Sequence, residues 1–367
     1  MSVGHFNSDS RETPLRVRMS TSERKQSILS GSSGSRTVEQ SMSQASTNTA
    51  SHVSTRFLII SDTHGDNLIH KPAGMFDVAI HCGDLTEESK LEEFKTSLNL
   101  MLEIDAPLKL VIAGNHDFSM DAPILLDKLK DHTTSEDAAL VKKVYGDAGE
   151  ARALFETDKC KAAGLVFLDE GTYTFTLANG ACLSVYASPY TASSSCTWGF
   201  QYRPKEEHGW VIPPETDVVI THSPPKGVLD YTDLRNRAGS PSLFAAIARV
   251  KPKMHCFGHI HEAWGAKLVA WRETLSEAPS HFTDIDNDRS SPIESLAGLR
   301  ARKFDAPEVI AEKKAKVEEY DLQGCCEIRE RVDPGKTLFV NAAIEGPKEG
   351  VQQHPWVVEI DLPRSIA

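Results

Sequence analysis

Arg56-Phe57-Leu58-Ile59-Ile60-Ser61-Asp62-Thr63-His64 joins a short apolar run directly to an Asp-x-His pair. A run of this length and composition is that of a buried strand. In an extended chain residues i and i+2 share a face, so Asp62 and His64 point to one side at the strand's end. Four more segments repeat the arrangement. The runs 78–82, 108–113, 217–221 and 254–257 lead into Gly83-Asp84, Gly114-Asn115-His116-Asp117, Thr221-His222 and Gly258-His259-Ile260-His261. In α/β folds ligands gather at the carboxyl ends of strands, where successive loops converge. The repetition therefore predicts one shared site.

The residue types define what that site can hold. Two carboxylates, one amide and four imidazoles drawn from these blocks can bind two divalent cations, a pair able to polarise a phosphate ester. Asp84 follows a glycine, so it can approach closely and bridge two ions. Asn115 offers a neutral oxygen. His259 and His261 lie two apart, which suits one ligand for each metal or both for one. The mixed nitrogen and oxygen set fits Mn, Fe, Zn or Co better than Ca, with Mn favoured and Mg a further alternative. Single histidines are more often ordinary core or surface residues, and His81, His132, His208 and His255 are read that way.

The 367 residues carry a net charge of −12, which argues against a nucleic-acid backbone as the main partner. Bound cations could supply the positive charge an anionic substrate requires. No apolar run reaches the length of a membrane span. The seven scattered cysteines show no CxxC spacing and read as free thiols. The expected location is the cytoplasm, with the nucleus as the alternative.

Residues 1–54 are rich in Ser and Thr and are expected to be a disordered tail. Residues 55–363 are expected to form the domain, with a charged insertion at about 273–335 that includes a solvated helix over 308–320. Ser89-x-x-Glu92 reads as a capping box, and Ser240-Pro241 as N-cap and N1 of a helix. Asn179-Gly180 marks a hairpin between 172–177 and 182–187. Runs 337–340 and 356–362 read as closing strands. Strands, helices and hairpins in this order suggest an α/β protein with two facing sheets flanked by helices.

The blocks Asp62-Thr63-His64, Gly83-Asp84, Gly114–Asp117, Thr221-His222 and Gly258–His261 resemble the full signature of the calcineurin-like metallophosphoesterases. The stretches HCGDLTEE (81–88), VIAGNHDFSMD (111–121), YASPY (186–190), WGF (198–200), THSPP (221–225) and FGHIHEAWG (257–265) further resemble the metallophosphoesterase-domain-containing proteins. The likeness covers roughly 56–271 and 337–363. It implies a four-layer sandwich of two mixed sheets, with the dimetal site at the strand ends. It implies that Asp62, His64 and His261 bind one metal, that Asn115, His222 and His259 bind the other, and that Asp84 bridges. A metal-bridging hydroxide would attack phosphorus in line, with His116 as acid or charge stabiliser rather than ligand. Glu87 is favoured over Asp117 for orienting that histidine.

Two departures bear on the substrate. Leu85-Thr86-Glu87-Glu88 lacks the phosphate-clamping arginine of the related Ser/Thr protein phosphatases, and Glu87 stands where purple acid phosphatases carry a metal-binding tyrosine. The expectation is hydrolysis of small phosphodiesters, cyclic nucleotides among them. A phosphomonoesterase or protein phosphatase, and a non-catalytic protein-binding scaffold, are the alternatives. Protein partners are not indicated.

Overall fold

A computed structural model describes residues 18–19, 52–130, 135–346 and 350–365. The 1–54 tail lies outside these residues apart from Arg18–Met19 and the start of the first long strand. That strand begins at His52, three residues before the expected domain boundary. His132 also lies outside them.

Two sheets face each other. In the smaller, the order is Cys326–Ile328, Trp356–Pro363, His52–Ile60, Val78–His81, Leu108–Val111 and Leu165–Phe167, with the last four strands mutually parallel. In the larger, Cys182–Ser188, Val218–Thr221, Met254–Phe257 and Lys336–Asn341 run parallel at the centre. Antiparallel neighbours flank them: Gly171–Thr176 with Arg18–Met19 on one side, Gly265–Trp271 with Ile285–Ser295 on the other. The expected hairpin around Asn179-Gly180 is present, with Ala181 N donating to Asn179 Oδ1.

The apolar runs are continuous because these strands are buried on both faces. Phe57, Ile59, Val78, Ile80 and Leu110 meet Val185, Ile220, Met254 and Val340 between the sheets. The alternate residues Leu58 and Ile60 pack outward against Phe94 and Met101 of the helix Leu91–Glu103. On the opposite side Val219, Phe257 and Phe339 pack against Leu243, Phe244 and Ile247 of the helix Pro241–Val250. The result is helix, sheet, sheet, helix: the four-layer arrangement that the resemblance implies.

Ser240 caps the second helix as expected, its hydroxyl accepting from Leu243 N. The first cap is displaced by one residue. Ser89 stands in the left-handed region at φ 61°, and its hydroxyl is engaged by Ser119. The helix therefore starts at Leu91, and Glu93, not Glu92, accepts from the Lys90 and Glu88 amides.

The segment 273–335 is built into both sheets. Ile285–Ser295 extends the larger one and Cys326–Ile328 the smaller one. Between them runs the helix Pro307–Gln323, which has no buried residue, in keeping with a solvated helix. Among the described residues no helix is long and apolar enough to cross a membrane.

Candidate metal centre

The central parallel strands of both sheets end at one place. Asp62, Asp84, Asn115, His222 and His259 each follow one within a few residues. To turn sharply there, Asp62, His64, Asp84 and His259 adopt φ of 53°, 49°, 51° and 70°. Non-glycine residues rarely take these values, and such strain concentrates at functional sites. The adjoining glycines permit close approach. A Cβ on Gly83 would lie 2.6 Å from Ala113 O and 2.7 Å from His222 Nδ1; one on Gly114 would collide with Asp84, and one on Gly258 with Asp62 and Ser61.

The side chains gather into two groups. Asp62, His64 and His261 form one, and Asp84, His222 and His259 the other, each with one ligand atom per residue within 4.8 Å of the rest. In the first, His261 Nε2 lies 3.2 Å from Asp62 Oδ1 and 3.4 Å from His64 Nε2. In the second, His222 Nε2 lies 3.1 Å from Asp84 Oδ2 and 3.2 Å from Asn115 Oδ1. Asp84 Oδ2 is also 4.0 Å from His64 Nε2, so one oxygen stands between the groups. His259 donates its backbone N–H to both oxygens of Asp62, at 2.9 and 3.1 Å. This contact ties the two groups together.

These donors suit divalent cations. Two ligands about 2.1 Å from a tetrahedral ion stand about 3.4 Å apart, the spacing seen between the two facing imidazole nitrogens. The other ring nitrogens of three of these histidines face a carbonyl or a carboxylate, as those of metal-bound histidines do. His222 Nδ1 bonds Cys82 O at 2.9 Å, His64 Nδ1 meets Glu87 Oε2 at 2.7 Å and His261 Nδ1 meets Glu345 Oε2 at 3.1 Å. Asp62 and Asp84 would hold one ion each, with Asp84 reaching both.

Charge is distributed accordingly. Burial opposes protonation of His222 and His261, yet Asp84 raises the first to about 9, while Asp62 and Glu345 raise the second to about 11. Burial likewise opposes the charge of Asp62, but His261 brings its carboxyl down to about 2. Asp84 is held well below the ordinary carboxylate range: burial opposes its charge, and His222 with His64 prevails. His259 is pushed down to about 4 by burial and by His222, which leaves a neutral imidazole free to coordinate.

His116 sits beside the groups. Its backbone N–H donates to Asp84 Oδ1 at 2.8 Å, and its ring lies against Trp198 with centroids 4.3 Å apart and the planes tilted by 32°. Nδ1 donates to the carbonyl of Glu87 at 2.6 Å, leaving Nε2 for a substrate. Glu87 thus orients His116 through its backbone. Its carboxylate is 3.9 Å from that ring and serves His64 instead.

Asp117 has a different task from the supporting one expected. It is buried and accepts from the amides of Leu85, Thr86 and Gly114 and from the Thr86 hydroxyl, bracing the two loops. His81 and His255 are buried neutral histidines bonded to Thr63 and Thr221. His208 pairs with Glu170 at 2.6 Å. All seven cysteines are free.

The sequence reading missed Glu345. Ile344 N donates to Ser61 O and Glu345 N to Asp62 O, so the segment after Lys336–Asn341 runs alongside the first loop. This places the Glu345 carboxylate 3.1 Å from His261 and 3.2 Å from His64. The signal was available: Glu345 follows the apolar run 337–340, as the five blocks follow theirs, but four neutral residues intervene.

Paired clusters of metal-ligating side chains at the strand ends of two facing sheets define an α/β protein with a twin-site loop cluster. The chain belongs to the calcineurin-like phosphoesterase family, whose sequence profile matches residues 55–263, more than half of its length. It is 32% identical over 218 residues to the human metallophosphoesterase domain-containing protein 1, covering 58% of this chain and 62% of that protein. A UPF0046 protein of Caenorhabditis elegans is 27% identical over 225 residues, 60% of this chain and 55% of its own. A probable rhamnogalacturonate lyase C of Emericella nidulans is 30% identical over 217 residues, 59% of this chain and 18% of the much longer protein. The chain therefore spans less than two thirds of each of these relatives.

Proposed function

We propose that this chain is a metal-dependent phosphodiesterase acting on small phosphodiesters, with cyclic nucleotides among the candidates and Mn the favoured metal. The reading rests on one observation above the others: Asp84 Oδ2 faces both donor groups while Asp84 Oδ1 anchors the backbone of His116. Two divalent cations, when bound, supply Lewis-acid polarisation of the phosphoryl oxygens and a nucleophile at neutral pH.

The protein's own residues do the rest. Asp62, His64 and His261 would hold one cation, and Asn115, His222 and His259 the other, with Asp84 shared. His116 acts as the imidazolium: its Nδ1–H is committed to Glu87 O, and Nε2–H gives its proton to the leaving oxygen, which leaves the ring neutral. Trp198 holds the imidazole in that orientation.

Two features favour a diester. The carboxylates of Glu87 and Glu345 stand against the site, and they repel a doubly charged monoester more than a singly charged diester. A cavity of about 500 Å³ is lined by Phe118, Lys128, Tyr145 and Trp198, the last of which also meets the His116 ring, and it offers a planar leaving group a place to stack. A panel of chromogenic mono- and diesters and cyclic nucleotides, each assayed with Mn, Mg, Zn and Co, tests the proposal. It predicts higher kcat/KM for diesters with at least one metal. Preference for monoesters would move the activity to a phosphomonoesterase, and turnover of none would leave the scaffold.

A further inference from the structure

His70, Asp321 and His354 form a third group whose ligand atoms lie within 4.8 Å of one another. None of them belongs to the two groups described above. They come from three distant parts of the chain. His70 lies on the loop after the first metal block, Asp321 in the last turn of Pro307–Gln323, and His354 just before the strand Trp356–Pro363. We infer that these three residues form a separate binding site for one transition-metal ion, of zinc-like chemistry, which clamps the helix Pro307–Gln323 to the core.

The geometry carries the inference. Both imidazoles direct Nε2 at the same oxygen: His354 Nε2 stands 2.8 Å and His70 Nε2 3.4 Å from Asp321 Oδ1. A tetrahedral zinc ion with ligands about 2.0–2.1 Å away separates them by about 3.3 Å, a value bracketed by these two distances. The rings lie 5.0 Å apart with only 33° between their planes, so both can turn toward one centre. Two imidazoles and one carboxylate select Zn, Co or Cu over Mg and Ca, and leave a coordination position for water.

The frame around the three is already built. Gln352 accepts from Ile69 N and donates to Asn67 O, both at 2.9 Å, locking the loops that carry His70 and His354. His354 O accepts from Trp264 Nε1 at 3.0 Å, and Trp264 stacks on Trp356 in the core. Burial lowers the proton affinity of His354 despite Asp321, which favours the neutral form a cation needs. A cavity of about 430 Å³, lined in part by His70, Arg300, Asp321 and His354, gives access from solvent. The loops carrying His70 and His354 also lead to His64 and Glu345, so the ion would stiffen the frame behind the first metal group.

The test is Zn²⁺ content of the full chain and of two variants, His70→Ala and Asp321→Asn, after equilibration with Zn²⁺ and removal of free ion. Both side chains are partly exposed, at 29% and 45%, and circular dichroism verifies the fold. Each variant should carry one equivalent of zinc fewer than the parent, whatever the parent's total. Cobalt substitution should give the parent a visible ligand-field component, over that of the cations at the other two groups, that is missing from the spectra of both variants. If either folded variant retains the parent's zinc content, the triad is a hydrogen-bonded clasp and the inference fails.

Discussion

Replacing Asp84 by asparagine preserves shape and removes one charge. The side chain is 2% exposed, with Oδ2 3.1 Å from a His222 that is itself fully buried. At that distance two unit charges interact by about 5 kcal/mol for an effective dielectric of about 20. Desolvation of both groups offsets part of this, and breaking a buried pair costs about 3–5 kcal/mol. Because the carboxylate faces both donor groups, its loss should weaken two ions together. A divalent cation facing the carboxylate loses an attraction of at least this size, so apparent metal affinity should fall by roughly two to four orders of magnitude. The assay is elemental analysis after dialysis against metal-free buffer, followed by calorimetric titration with Mn²⁺, with circular dichroism to verify folding. A folded variant that keeps two ions at parental affinity would refute the bridging assignment.

Three further outcomes follow from the geometry. His116→Asn should lower kcat by about 10²–10⁴-fold with metal content unchanged, and the deficit should shrink for esters with good leaving groups; equal deficits would mean that His116 only positions substrate. Gly258→Ala should cost the ion proposed for Asp62, His64 and His261, since the new Cβ collides with the Asp62 carboxylate; elemental analysis showing the parent's full metal content would contradict this. In the metal-free chain His222 and His261, raised to about 9 and about 11, carry protons at neutral pH and must lose them to coordinate. Metal affinity should therefore rise with pH, and calorimetry at neutral pH in buffers of different ionisation enthalpy should register proton release; uptake of metal without it would show that those imidazoles are not ligands.

The parts of this protein legible in the sequence share a physical origin. A strand buried on both faces must be an unbroken apolar run, and its loop must carry polar residues, so the five blocks and their strands stand out together. Edge strands carry no such signature. Ile285–Ser295 reads Ile-Asp-Asn-Asp-Arg-Ser-Ser-Pro-Ile-Glu-Ser and has only two buried residues, with register shifts against its partner, so neither period nor hydrophobicity reveals it. Tertiary contacts also reassigned local motifs. The Ser89 hydroxyl, free in the sequence to cap a helix, is committed to Ser119 across a loop. Asp117 lies in the most distinctive block, and its four hydrogen bonds serve loop geometry. The role of Glu345 depends on a bridge between Ser61 and Ala343, 282 residues apart, so the apolar run before it does not by itself assign it to the site.

The most direct test of the central claim is anomalous diffraction from crystals of the full chain grown with Mn²⁺. Two peaks should flank Asp84 Oδ2, one against Asp62, His64 and His261, the other against Asn115, His222 and His259. A single peak, or two peaks neither of which touches Asp84, would contradict it.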